Sequence, residues 1–192
     1  MLVLFDLDGV IVDSNEFWNH TASGLLQYHH IDYDEDIDAT LYDLSLEEGL
    51  EYVNHKYHST LTLQDIQDYI AYYFLYEVEM MEGINEKIEA LYQRGYELAI
   101  LTSNDTLITK KLLERLQLDH YFKKICGNQN KKDLGIYQQF TKDTIVIDDS
   151  AYVLKNALQA NLKVLGIYDH HSNENKEEIE SLSNITWEDL LK

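Results

Sequence analysis

The sequence predicts an α/β protein: a parallel sheet covered by helices on both faces, with a helical insertion directly after the first strand. Three observations predict it. Residues 2–7 form a short, nearly continuous apolar run, the pattern of a strand buried on both faces. Residues 15–80 read as almost all helical, rich in Tyr, His and acids. From residue 84 the pattern turns to alternating helix and strand with short links, the order that builds a parallel sheet.

The elements follow in chain order. Inside the insertion, Ser45-Leu46-Glu47-Glu48 has capping-box spacing, and Thr62-Leu63-Gln64-Asp65 is a weaker helix start. The segment Ile31–Asp38 carries five acids and reads as an exposed connection. Tyr69, Tyr72, Tyr73, Phe74 and Tyr76 fall at mixed helical spacing, as for packing within the insertion or a subunit contact. Ile84, Ile88 and Leu91 mark one helix face, and Gly95 stands where a helix C′ glycine belongs. Tyr96–Leu101 is a predicted strand, and Leu107, Ile108, Leu112, Leu113 and Leu116 mark the next helix. A short strand near Ile125, a strand at Thr144–Ile147, a helix at Tyr152–Ala160 and a strand at Lys163–Ile167 complete the order. The adjacent pairs His29-His30 and His170-His171 lack metal-site spacing and read as surface positions.

Composition narrows the function. The 192 residues suffice for one domain carrying a smaller insert. A formal net charge of −20, from 35 acids against 15 bases, repels nucleic acid and anionic membrane, and no basic stripe overrides it. No run approaches 18 apolar residues, so no transmembrane helix is expected. The opening Met1-Leu2-Val3-Leu4-Phe5-Asp6 lacks a basic n-region and reads as a strand rather than a signal peptide. A single cysteine, Cys126, excludes an internal disulfide and fits a reducing cytoplasm. Oligomeric state has no signal in the sequence.

The chemistry concentrates at predicted strand ends, where open α/β sheets bind ligands. Asp6 and Asp8, two residues apart at the end of the first strand, point to one side. Like charges this close imply a hard cation between them. Asp148 and Asp149 end another apolar strand, and two such acid pairs on one sheet edge make sense together only around a divalent ion. Thr102-Ser103-Asn104, after the strand ending at Leu101, can hold phosphate oxygens or simply cap a helix. Lys131 and Lys132 lie between these elements, and either one can neutralise a phosphoryl group.

In order, these elements resemble the four motifs of the haloacid dehalogenase superfamily. Asp6-Leu7-Asp8-Gly9-Val10-Ile11-Val12-Asp13-Ser14 is very close to its first motif; Thr102 matches the second, Lys131 or Lys132 the third, and Asp148-Asp149 the fourth. The spacing to Tyr137 favours Lys131. The resemblance, closest to the phosphoglycolate phosphatase and β-phosphoglucomutase group, implies a Rossmann-like core (1–13 and 82–192) and a helical cap (14–81). It implies an Mg2+-dependent phosphatase acting on a small phosphorylated metabolite in the cytoplasm. Asp6 would be the nucleophile and Asp8 the general acid and base. Asp6, the Asp8 backbone carbonyl and Asp149 would bind magnesium, with Asp148 nearby, while Thr102, Ser103, Asn104 and the motif lysine would hold phosphate.

The chain departs from the family's pattern in several places. Lys132 follows Lys131 where proline is usual, and the stretch from Tyr137 to Asp148 is short. Val153 replaces a later acid, and Glu82-Gly83 stands where Pro-Gly is common. Two rivals remain: a sugar phosphomutase, which resemblance says would carry a histidine where Trp18 stands, and a non-catalytic binding or regulatory protein on the same fold.

Overall fold

A computed structural model describes all residues except 42, 43 and 169. The described elements run β1 (Leu2–Phe5), α1 (Asn15–Asn19), α2 (Thr21–Tyr28), α3 (Ile37–Leu41), α4 (Leu46–Tyr57) and α5 (Leu63–Tyr72), which loosens into a π-helical turn at Tyr73–Glu77. Then come α6 (Ile84–Gln93), β2 (Glu97–Leu101), α7 (Thr106–Arg115), a 3₁₀ turn at Asp119–Tyr121, β3 (Phe122–Cys126) and α8 (Leu134–Gln138). The chain closes with β4 (Ile145–Asp148), α9 (Ala151–Gln159), β5 (Lys163–Gly166), α10 (Lys176–Leu182) and α11 (Trp187–Leu191). Every predicted strand is present, with ends displaced by a residue or a few.

The five strands form one parallel sheet in the order β3-β2-β1-β4-β5. The chain winds one way from β1 through β2 to β3, then returns to the other side of β1 for β4 and β5. The winding therefore reverses between β1 and β4, and the crevice outside the carboxyl ends of such strands is where α/β sheets take ligands. The register pairs Phe5 with Ile147, so Asp6 follows β1 beside Asp148 at the end of β4.

Both sheet faces are buried, as the unbroken apolar strands require. Leu4, Ala99, Leu101, Val146 and Val164 share one cluster with Tyr137, Val153, Leu154, Ala157 and Ile179. Val3, Phe5, Leu98, Ile100, Ile145 and Ile147 alternate with that set along the strands and are equally buried. Val153, which the resemblance puts where an acid is usual, is buried in that cluster. On α7 the buried face is Thr109, Leu112 and Leu113, while Leu107 is 59% exposed. At about 100° per residue Leu107 lies on the opposite side of that helix, so apolarity alone misplaced it.

The chain divides into two compact units, Met1–Asn15 with Val78–Lys192, and Glu16–Glu77. The second unit has its own core of Leu25, Leu26, Ile37, Val53, Leu61 and Ile66. Both expected start signals in it are complete capping boxes, Ser45 with Glu48 and Thr62 with Asp65. The connection read as wholly exposed is not so at its end. Ile37 is buried, and Asp38 Oδ1 accepts the backbone N–H groups of Ala22 and Ser23 at 3.0 Å each. Asp38 thereby caps α2 from a distance, since His20 at its N-cap makes no side-chain cap bond. Phe17 stacks on Tyr73 at 3.8 Å and Phe74 is buried, whereas Tyr76 is 70% exposed. His30 and His170 are exposed, but His29 is half-buried, with Nε2 shut away from solvent.

Candidate active site

The site assembles where β1 and β4 end. Asp6 donates its backbone N–H to Ile147 O at 2.9 Å, which extends the sheet one step and sets its carboxylate beside the β4 acids. Asp6, Asp148 and Asp149 are each buried, and each offers a carboxylate oxygen within 4.8 Å of the others. Lys131 is buried among them: its Nζ lies 2.6 Å from Asp6 Oδ2 and 3.0 Å from Asp148 Oδ2. Lys132 is exposed. The buried Tyr137 hydroxyl donates to the Lys131 carbonyl at 3.0 Å, which fixes the chain so that residue 131 and not 132 turns inward.

The electrostatics follow from crowding. Three carboxylates face one ammonium, so negative charge is left over. Burial pushes Asp149 up to about 7; Asp6 and Asp8 add to the rise, while the Asn15 amide and Lys131 oppose it. Burial also lifts Asp148 well above the carboxylate range, with Asp6 and Asp149 reinforcing it against Lys131. For Lys131, burial works against the charge, yet Asp148 and Asp6 hold its pKa well above the ordinary ammonium value. Asp6 Oδ1 is buried without a hydrogen-bond partner among the described residues. An orphaned carboxylate oxygen beside two raised acids fits a hard divalent cation with oxygen ligands.

Asp8 stands outside that group of three. The strand ends at Phe5, and the chain turns through Leu7–Val12 with Ile11 and Val12 N–H both donating to Leu7 O. Asp8 is thus reached through a turn rather than along the strand, and its charge still acts on Asp149. Its Oδ1 accepts from the Ser14 hydroxyl at 2.6 Å and its Oδ2 from the Asn104 side-chain amide at 2.7 Å. Gly9 allows the turn: its φ is +65°, and a Cβ there would sit 2.2 Å from Asp149 Oδ2.

Thr102 is fully buried after β2, and its Oγ1 accepts the Asn104 N–H at 3.1 Å. Ser103 is exposed. Two contacts carry no signal of their role in the sequence: Ser14 lies in the first motif and donates to Asp8, and Asn15 Nδ2 donates to Asp149 Oδ2 at 3.1 Å. That second pair is 134 residues apart, and no local pattern announces it.

A doubly wound sheet that gathers buried carboxylates and a buried lysine at its winding reversal defines an α/β enzyme core. A family model for haloacid dehalogenase-like hydrolases matches residues 3–167, and the chain belongs to that family. A curated relative, provisionally named the pyrophosphatase PpaX, from Caldanaerobacter subterraneus subsp. tengcongensis, is 23% identical over 186 residues, covering 86% of this chain and 80% of its own. A solved structure from Thermotoga maritima, provisionally assigned as a β-phosphoglucomutase, matches with a TM-score of 0.78 at 20% identity, covering 99% of this chain and 96% of that one. The provisionally assigned hydrolase YfnB of Bacillus subtilis, solved bound to magnesium, matches with a TM-score of 0.67 at 17% identity, covering 92% and 90%. These structural likenesses establish the fold. No helix among the described residues is long and apolar enough to cross a membrane.

Proposed function

We propose that this chain is a magnesium-dependent phosphatase that hydrolyses a small phosphomonoester through an aspartyl-phosphate on Asp6. One observation carries the reading: buried Lys131 pairs with Asp6 and Asp148 beside an Asp6 oxygen that no donor among the described residues reaches. A lysine so placed neutralises the nucleophile and the incoming phosphoryl group, while the free oxygen keeps its lone pairs for a cation or for phosphorus.

Asp6 and Asp149, with the Asp8 backbone carbonyl and Asp148 at hand, would hold the magnesium ion. Bound there it supplies charge neutralisation for the transferring group. A carboxylate oxygen of Asp6 attacks phosphorus as the ester P–O bond breaks. The leaving oxygen takes a proton from the Asp8 carboxyl, and the phosphoryl group remains on Asp6. Water then attacks phosphorus and gives its proton to Asp8; the bond to Asp6 breaks and inorganic phosphate leaves. Thr102 with the neighbouring Ser103 amide holds phosphoryl oxygens. The inserted helical unit is assigned as a cap that sets substrate choice, and the protein is assigned to the cytoplasm.

Phosphate release from p-nitrophenyl phosphate, with and without a chelator and in Asp6→Asn, tests the reading. Turnover should vanish in both controls, and full turnover in either would sink the mechanism. Trp18 argues for water as the acceptor. With hexose 1-phosphate, magnesium and a trace of bisphosphate primer, free phosphate should outrun hexose 6-phosphate.

A further inference from the structure

The sequence groups Asn104 with the phosphate-binding residues, but its side chain is committed elsewhere. We infer that Asn104 is a positioning residue for Asp8, locked in place by the loop at residues 127–129. The inference rests on the assignment of Asp8 as the acid–base group.

The geometry has three parts. First, the Asn104 Nδ2 donates to Asp8 Oδ2 at 2.7 Å, across 96 residues of sequence, while Ser14 donates to Asp8 Oδ1 at 2.6 Å. Each oxygen of this carboxylate thus receives a short hydrogen bond, one from the first motif itself and one from the loop after β2. A carboxylate in a turn, lacking the support of a strand, needs such partners to hold one rotamer.

Second, the backbone of Asn104 is itself held. Its N–H donates to Thr102 Oγ1 at 3.1 Å, and its carbonyl accepts the Asn128 N–H at 2.8 Å. The neighbouring Gln129 N–H donates to Thr102 O at 3.1 Å, so the loop after β3 grips the loop after β2 at two points.

Third, the grip has no slack. A Cβ on Gly127 would lie 2.6 Å from Thr106 Oγ1 and 2.8 Å from both the Asn104 carbonyl oxygen and Thr106 Cα. Two of those three atoms are backbone, which cannot swing aside. The loop after β3 therefore reaches Asp8 through Asn104.

A phosphate ligand and a positioning residue fail differently. Losing a ligand weakens binding of phosphate itself; losing a positioning residue leaves binding intact and slows the chemistry. The probe is p-nitrophenyl phosphate with magnesium, with inorganic phosphate as competing inhibitor. Asn104→Ala should lower kcat about ten- to a hundredfold, the range a misplaced catalytic group costs, with KM and the phosphate inhibition constant within about twofold. Gly127→Ala, whose added Cβ presses on the Asn104 carbonyl oxygen, should reproduce the same split. In an Asp8→Asn background, adding Asn104→Ala should cost nothing more, since the group it positions is gone. A phosphate inhibition constant that rises about tenfold with kcat retained would make Asn104 a ligand and overturn the inference. So would a full extra loss in the double variant. Asp8→Asn inactive with Asn104→Ala at full rate defeats this inference alone, whereas full turnover in Asp8→Asn defeats the assignment of Asp8 as well.

Discussion

Replacing Lys131 by methionine keeps the volume of the side chain and removes its charge from among three buried acids. The ammonium lies 2.6 Å from one carboxylate oxygen and 3.0 Å from another. At an effective dielectric of about 20, unit charges at those separations attract by roughly 5–6 kcal/mol each before desolvation is counted. Desolvation cancels most of that, and truncating one partner of a buried ion pair typically costs about 3–5 kcal/mol. For a chain of this size that loss corresponds to a fall in Tm of roughly 6–20 °C. The assay is thermal unfolding without metal at about pH 8 and again at about pH 5, with Lys132→Met as control. The sign follows from the acids. Folded-state values raised above the unfolded ones, to about 7 for Asp149, mean that stability is full below about pH 4 and is lost as pH rises through 7. Removing the lysine lifts those values further, so Lys131→Met should be most damaging at high pH and partly relieved by acid. The exposed Lys132→Met should stay within about 0.5 kcal/mol of the parent. Activity should fall at least about tenfold in kcat/KM, or roughly 1.4 kcal/mol of transition-state stabilisation. Equal unfolding temperatures for Lys131→Met and the parent at about pH 8, or a greater loss at low pH, would refute the reasoning.

Two further predictions use the same measurements. Asp149→Asn removes one of the raised acids, so the metal-free protein should gain stability near pH 8, and the rise in Tm caused by magnesium should disappear. In the parent that rise should itself shrink as pH falls below about 7, because protons and the cation compete for the same oxygens; a magnesium effect indifferent to pH would contradict this. In the helical unit, Asp38→Ala strips the cap from the α2 N-terminus and should cost about 1–2 kcal/mol, read by urea unfolding. An unchanged midpoint would mean that water replaces the carboxylate without penalty.

Much of this protein is legible in one dimension because its signals are local. The apolar run at 2–5 has to be buried on both faces, and the alternation after residue 84 leaves few topologies other than a parallel sheet. Ser45 with Glu48 and Thr62 with Asp65 announce helix starts because both partners lie within one turn. The acid pairs at the ends of β1 and β4 are visible because a strand end is where a parallel sheet presents its chemistry. The sequence by itself determined that acids and a lysine would gather at one edge, and that one of two adjacent lysines would join them. Only the tertiary structure decided the membership of that group. The register of β1 against β4 brings Asp148 next to Asp6, and the buried Tyr137 hydroxyl turns Lys131 inward. The turn after Phe5 removes Asp8 from the trio and gives it to Ser14 and Asn104. Asn15 on Asp149 and Asp38 on the start of α2 belong to the same class. The Asn15–Asp149 and Asn104–Asp8 bonds join groups 134 and 96 residues apart, and like the others their geometry exists only after the chain has folded.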